Sequence, residues 1–198
     1  CQHLESYTLR GVRKRDFPPS LFYQLPWWKE YRKFIDYFAR LSMLLTEGGE
    51  VCPVLVLHPI TSAWTRFNKL DLGSIYGLHE KLESLIYTLG DSQIGYHFGD
   101  EQLMEKYGSV SGNRLTVGKK SYTTVVLPEL VSIEGSTLAL LDTFMKNGGT
   151  VIAAGSLPKY VDGRENAEAL EYLTSHAVKA DGEEALLTAL EKSGAVLH

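Results

Sequence analysis

The sequence predicts an α/β fold built on a flavodoxin-like, doubly wound and mainly parallel sheet. Short apolar runs bounded by glycine and proline alternate along the chain with segments whose apolar residues recur at helical spacing. Such runs are typical of strands that helices cover on both faces. The chain has 198 residues, of which 44% are hydrophobic and 22% charged, and can therefore bury one ordinary core.

The chain divides into two unequal parts at Pro26. Residues 1–26 show no periodicity and carry the charged run Arg13–Asp16 and the pair Pro18–Pro19, so we expect an extended segment there. Residues 27–198 contain the alternating pattern and are expected to form the α/β domain.

The elements follow in order from the same pattern. A helix that begins at Trp27 should end near Gly48 and Gly49, because glycine favours the left-handed conformation of a helix C-cap. The pair Gly112–Asn113 between apolar residues predicts a hairpin. The predicted strands are Val51–Leu57, Ser92–Phe98, Thr123–Leu127, Thr150–Ala154 and one that begins at Ala195–Leu197. The other predicted helical segments are Leu78–Thr88, Glu101–Tyr107, Ile133–Met145, Asn166–Ser175 and Glu183–Ser193, and 58–75 is expected to be a loop.

Several kinds of site are poorly supported by the residues. No GxxxxGK[ST] or GxGxxG motif follows a strand, which argues against a nucleotide cofactor. Neither Ser62 nor Ser156 sits in GxSxG, and Cys52 opens a strand, where a small core residue is expected. The six histidines form no HxH or HxxxH pair, so no metal site is predicted.

Charge and hydropathy exclude two classes of partner. The net charge of −4 argues against a nucleic-acid-binding domain, which usually carries a basic surplus. No stretch approaches the roughly 18 apolar residues that a membrane span needs. We therefore expect neither nucleic acid nor membrane as a partner.

Ligands of a doubly wound sheet gather beyond the carboxyl ends of its strands. This rule selects four segments: 58–64, 99–101, 128–129 and 155–158. Asp100 and Glu101 are candidates for sugar contact, although Asp100 is more simply explained as the N-cap of the next helix. Trp64 is the stronger aromatic candidate for stacking on a sugar ring, since it follows a strand.

Two stretches resemble a known family of enzymes. Residues 11–45 read GVRKRDFPPSLFYQLPWWKEYRKFIDYFARLSMLL, and 54–64 read VLVLHPITSAW. Together with FGDEQLM, GKKSYTTVVLPEL and FMKNGGTVIA, they resemble large bacterial glycoside hydrolases related to the α-L-rhamnosidases. The resemblance covers roughly 7–159. In that family a catalytic barrel is followed by an α/β domain similar to class I glutamine amidotransferases and to the trimerisation domain of certain β-galactosidases, and then by β-sandwich domains.

The resemblance implies a non-catalytic accessory domain of a glycoside hydrolase, inactive in isolation, with 1–26 as the tail of the barrel. Its implied partners are the upstream barrel, the downstream β-sandwiches, further copies of the chain and a carbohydrate. His58, Trp64, Asp100 and Glu101 would then face the substrate or an interface. The alternative is a self-contained oligomerisation or binding scaffold without sugar contact. A third interpretation, a small amidotransferase-like enzyme, lacks the nucleophile motif. The sequence assigns no cellular location.

Overall fold

The computed structural model describes residue 23 and residues 26–196 of the chain. Contacts along the chain divide it into two units, Cys1–Glu50 and Val51–His198. The expectation for residues 1–26 falls almost entirely outside the described residues, so the boundary at Pro26 stays a prediction.

The first unit contains the predicted amphipathic helix. A short 3-10 turn, Trp28–Glu30, leads into α1 (Tyr31–Thr46), and Gly48 follows with φ +90°. The rings of Phe34 and Phe38 lie one helical turn apart with centroids 4.5 Å from each other. No residue of α1 is buried, so its apolar stripe is an exposed surface.

The second unit alternates strands and helices as predicted. Its helices are α2 (Ile60–Arg66), α3 (Gly73–Asp91), α4 (Glu101–Tyr107), α5 (Gly135–Lys146), α6 (Glu171–His176) and α7 (Glu183–Lys192). Its strands are β1 (Val54–Leu57), β2 (Tyr96–Gly99), β3 (Gly108–Ser111), β4 (Arg114–Val117), β5 (Lys120–Tyr122), β6 (Thr124–Leu127), β7 (Ser132–Ile133), β8 (Thr150–Ala153), β9 (Tyr160–Val161), β10 (Arg164–Glu165) and β11 (Val178–Lys179).

Five of these strands form one parallel sheet in the order β11-β8-β6-β1-β2. When the five strands are numbered by their appearance in the chain and read from the β2 edge, their order is 2-1-3-4-5, which is the order of flavodoxin-like doubly wound folds. The predicted fold class is thereby confirmed. The strand order reverses between β1 and β6, and the chain leaves both strands at the same edge, which we call the carboxyl edge.

The two central strands of the sheet, β1 and β6, are buried on both faces because they are almost entirely apolar. Leu55 and Leu57 of β1 point into a core that contains Phe144 of α5, while Val54 and Val56 join Leu89 of α3 in the other core. This alternation is the period of two that a strand imposes. Every residue of β1 and of β6 is buried, as expected for central strands of a parallel sheet.

The structure corrects three of the predicted elements. The expected loop after β1 contains α2 and the first turn of α3. The expected helix over Asn166–Ser175 is only α6, because 167–170 form turns instead of helix. The fifth strand is β11 rather than a strand at the chain end, where Ala195 and Val196 lie outside any strand. The predicted hairpin is confirmed as β3 and β4, and β5 extends it.

Candidate functional site

The candidate site lies at the carboxyl edge, where every strand of the parallel sheet ends. His58 follows β1, Asp100 follows β2 and Pro128 follows β6, while Gly155 and Ala180 come after β8 and β11. The edge has two parts that differ in shape and chemistry. We call the ends of β1 and β2 the β1–β2 half, and the ends of β6, β8 and β11 the cleft half.

His58 and Trp64 are the aromatic candidates in the β1–β2 half. The ring of His58 lies edge to face against Phe98, with centroids 5.6 Å apart, and the His58 backbone N–H donates to Gly99 O. This hydrogen bond continues the pairing of β1 with β2 past the strand ends. Trp64 lies on α2 with 60% of its surface exposed, so its indole is available to a ligand or a partner.

Asp100 serves as the N-cap of α4. Its backbone is extended, and its Oδ1 accepts from Leu103 N at 3.0 Å. The capping role expected from the sequence is therefore confirmed, since a helix begins with N–H groups that have no partner inside it. One carboxylate oxygen of Asp100 is committed to this bond.

Glu101 is buried, with 2% of its surface exposed. Its Oε1 accepts from Glu134 N at 2.8 Å, immediately before α5, while Asp162 Oδ1 accepts from Gly135 N at 2.9 Å. Two carboxyl groups from distant parts of the chain thus accept hydrogen bonds from adjacent N–H groups at the start of α5. The positive end of the helix dipole also favours negative charge at this position.

Burial raises the pKa of the Glu101 carboxyl above its usual value, because the charged form loses its hydration. The hydrogen bond from the Glu134 backbone acts in the opposite direction and lowers the pKa. The hydroxyls of Thr61 and Thr137 also lower the pKa of Glu101, although neither hydroxyl forms a hydrogen bond of ordinary geometry. Glu101 is therefore held inside the molecule between α2, α4 and α5.

Ser62 joins α2 to the strand that precedes α5. Its side chain is fully buried, and its Oγ accepts from Val131 N at 2.9 Å and from Ser132 N at 3.1 Å. The same hydroxyl donates to Ser132 O at 2.9 Å. All three hydrogen bonds are to the backbone of Val131 and Ser132, so this serine positions structure and does not present a nucleophile. Cys52 is likewise buried, with its thiol 3.6 Å from Val54 O.

The cleft half holds an open cavity of about 630 Å³. It is bounded by the loops after β6, β8 and β11, by one side of α3, by Thr174 of α6 and by the first turn of α7. Polar side chains in its lining are Lys81, Ser84, Thr88, Glu129, Ser156, Thr174, Lys179, Asp181 and Glu183.

Some of this lining was within reach of sequence analysis and some was not. Glu129 and Ser156 fall in segments selected because they follow predicted strands. Lys179 and Asp181 were missed because β11 offers no apolar run to detect. The strand is only two residues long, and both of its residues, Val178 and Lys179, are exposed. Lys81 was missed because it comes from the flank of a helix.

The floor of the cleft is made of backbone packed on backbone. A Cβ on Gly155 would lie 2.5 Å from Glu129 N, so only glycine allows the loops after β6 and β8 to approach this closely. Leu130 N donates to Ser156 O and Ala154 N to Leu127 O, each at 2.9 Å. At the mouth, Lys81 Nζ forms an ion pair with Glu129 Oε2.

Within residues 23 and 26–196, no group of three or more His, Cys, Asp or Glu side chains is placed to hold a metal ion. In the same described residues, no helix is both long and apolar enough to cross a bilayer.

Comparison with known proteins gives one informative match. The chain is 28% identical over 136 residues to a protein of Formosa agariphila named "Putative beta-glucuronidase". The aligned region makes up 67% of this chain and 10% of that protein, so the chain spans about a tenth of its relative's length. No protein-family model matches the chain. No solved structure matches it either.

Proposed function

We propose that this chain is an accessory domain, without a catalytic centre of its own, of a larger protein related to the glycoside hydrolases. The observation that carries the proposal is the match to the Formosa agariphila protein, which extends over most of this chain and only 10% of that protein. A segment of this kind corresponds to one module of a much longer polypeptide.

The carboxyl edge supports the non-catalytic role. A hydrolase or amidotransferase of this architecture exposes its nucleophile on a tight turn between a strand and a helix. Here Pro128 follows β6, and the hydroxyl of Ser62 after β1 is enclosed by loop backbone. Neither position offers an activated nucleophile with a base beside it.

The finer assignment is an amidotransferase-like domain that follows the catalytic barrel of a rhamnosidase-related hydrolase. The 2-1-3-4-5 strand order supports it, because the resemblance implies a doubly wound domain. We infer that the domain helps to assemble the enzyme and that the β1–β2 half lies towards the sugar site. Trp64 and His58 would then contact substrate or barrel, while the buried Glu101 would support the loops that carry them.

A scaffold that self-associates without sugar contact is the second candidate. Helix α1 favours it, because its apolar stripe includes Phe34, Phe38 and Leu45 with 54%, 47% and 77% of their surfaces exposed. Light scattering separates the two candidates. A stable oligomer of this chain that binds no glycoside would support the scaffold, and a monomer would remove it.

The deciding experiment is to isolate the native polypeptide from source cells with an antibody raised against this chain. We expect a polypeptide several times larger than 22.1 kDa that hydrolyses a chromogenic glycoside, while the 198-residue chain alone is inactive. A native product near 22.1 kDa would overturn the proposal. Ammonia release from glutamine by the chain alone would overturn it in favour of an amidotransferase.

The role of Trp64 is tested in the same large polypeptide. We expect Trp64→Ala to raise KM for the glycoside or to lower kcat, because an exposed indole is lost from the β1–β2 half. Phe67→Ala is the matched control, since Phe67 is equally exposed just beyond α2. If both variants keep the parental kinetics, Trp64 has no part in the sugar site.

A further inference from the structure

The cavity in the cleft half has the position and the size of a small-molecule site. It opens beyond the ends of β6, β8 and β11, next to the point where the strand order reverses. Its volume of about 630 Å³ lies within the range of roughly 300–1,000 Å³ that is usual for ligand pockets. It is separate from the β1–β2 half, where His58, Trp64, Asp100 and Glu101 lie.

The charges around the cleft are mixed and nearly balanced. Its lining includes two lysines, Lys81 and Lys179, and three carboxylates, Glu129, Asp181 and Glu183. A phosphate or nucleotide site would be expected to carry a cationic surplus or a glycine-rich loop of N–H groups. A lining with one more carboxylate than lysines does not favour an anion.

The uncharged part of the lining completes the pattern. Ser84, Thr88, Ser156 and Thr174 contribute hydroxyls, and the apolar members are aliphatic rather than aromatic. A sugar hydroxyl donates one hydrogen bond and accepts others, so a sugar needs both donors and acceptors around it. Lysines, carboxylates and hydroxyls side by side meet that requirement, whereas an apolar ligand would leave them unsatisfied.

The cleft is also preorganised. The close approach at Gly155 and the hydrogen bond from Leu130 N to Ser156 O hold the loops after β6 and β8 together. Ala180 N donates to Ala153 O at 2.9 Å, which ties the segment that carries Lys179 and Asp181 to the same floor. A site whose walls are held by backbone bonds loses little conformational entropy when it binds a ligand.

We propose that this cleft binds a sugar, with Glu129, Lys179 and Asp181 forming hydrogen bonds to its hydroxyls. The inference rests on the proposed function, which makes this chain part of a protein that acts on carbohydrate. It adds a second, non-catalytic sugar site that would hold a neighbouring part of the substrate or the product.

The test is a titration of the isotopically labelled 198-residue chain, followed by the amide signals of its backbone. The probes are methyl glycosides of glucose, galactose and rhamnose, with glucuronate and inorganic phosphate as charged comparisons. We expect at least one sugar to shift the signals of Gly155, Ser156, Asp181 and Gly182, with a Kd of about 1 mM, weak as is usual for a small polar ligand.

Paired variants assign the effect to the cleft. Lys179→Met with Asp181→Asn removes one charge of each sign, and we expect it to weaken binding about tenfold or more. Glu191→Gln with Lys192→Met makes the same change in charge at the far end of α7, about 15 Å along the helix, and should bind like the parent. All four side chains belong to exposed residues, and circular dichroism would verify that both variants fold.

Each other outcome overturns the inference. If no sugar shifts the cleft signals, if phosphate alone shifts them, or if both double variants bind equally well, the cleft is not a sugar site. None of these results bears on the proposed function, which depends on the size and glycosidase activity of the native polypeptide.

Discussion

In the β1–β2 half of the carboxyl edge, the side chains of Ser62, Asp100 and Glu101 all accept hydrogen bonds from backbone N–H groups. In the cleft half, Lys179 and Asp181 line an open cavity whose floor is held by bonds between backbone groups. Ser62, Asp100 and Glu101 therefore maintain the fold, while Lys179 and Asp181 remain accessible to a ligand. The position of a residue after a strand thus identifies the edge of the sheet where a site can lie. It does not identify which polar residues at that edge are available to bind a ligand.

Ser62→Ala gives the largest expected effect and tests the structural half directly. The substitution leaves the partly buried Val131 N and the buried Ser132 N without an acceptor, at a cost of about 3 kcal/mol in the free energy of unfolding. Urea denaturation measures the loss. The control is Thr65→Ala on the same helix, where the residue is exposed and the change should be small. Equal effects of the two variants would contradict the assigned role of Ser62.

Gly155→Ala tests whether the floor of the cleft is as close-packed as the structure indicates. The added methyl group would meet Glu129 N and Glu129 Cα at 2.5 and 2.7 Å, so the two loops must separate. We expect a loss of stability of about 2 kcal/mol and a weaker response to sugar. Gly95 is the matched glycine, since a Cβ there meets nothing within 4 Å, and Gly95→Ala should unfold at nearly the parental denaturant concentration.

Asp100→Ala removes the N-cap of α4 and should destabilise the protein by about 1 kcal/mol. Asp100→Asn keeps a side-chain oxygen that can accept from Leu103 N, so its thermal midpoint should stay close to that of the parent. If Asp100→Asn instead loses as much stability as Asp100→Ala while both lower glycosidase activity in the large polypeptide, the carboxylate has a role beyond capping.

Glu101→Gln should produce the smallest effect, which is confined to the pH dependence of stability. Because the folded pKa of Glu101 lies above the usual value of 4.5, its stabilising contribution is complete below pH 4.5 and is lost as the pH rises through the folded pKa. Glutamine cannot ionise and can still accept from Glu134 N.

The difference in unfolding free energy between Glu101→Gln and the parent should therefore shift in favour of the variant as the pH rises from 4.5. Denaturation curves recorded across that range measure this difference. Glu105→Gln, at an exposed position of the same helix, serves as the reference. A difference that does not change with pH would mean that Glu101 ionises in the folded protein as it does in the unfolded chain.

The sequence by itself determined the class of fold and most of the central sheet. The run at β1 is apolar at every position and those at β6 and β8 at every position after an initial threonine, because helices cover both faces of the sheet. This local signal survives in a single sequence. Glycine pairs marked the ends of helices through an equally local signal, because a left-handed backbone conformation depends on only one or two residues. The capping of α4 by Asp100 was equally local, because donor and acceptor lie three residues apart.

Tertiary structure alone decided which residues are buried at the carboxyl edge and where the cleft opens. The partners of Ser62 are 69 and 70 residues away, and that of Glu101 is 33 residues away, so no local pattern could reveal them. Strand β11 is held in the sheet by its pairing with β8 and carries no apolar run of its own. Contacts between residues distant in sequence form only when the chain folds, and here they separate the polar groups that support the fold from those that line the cleft.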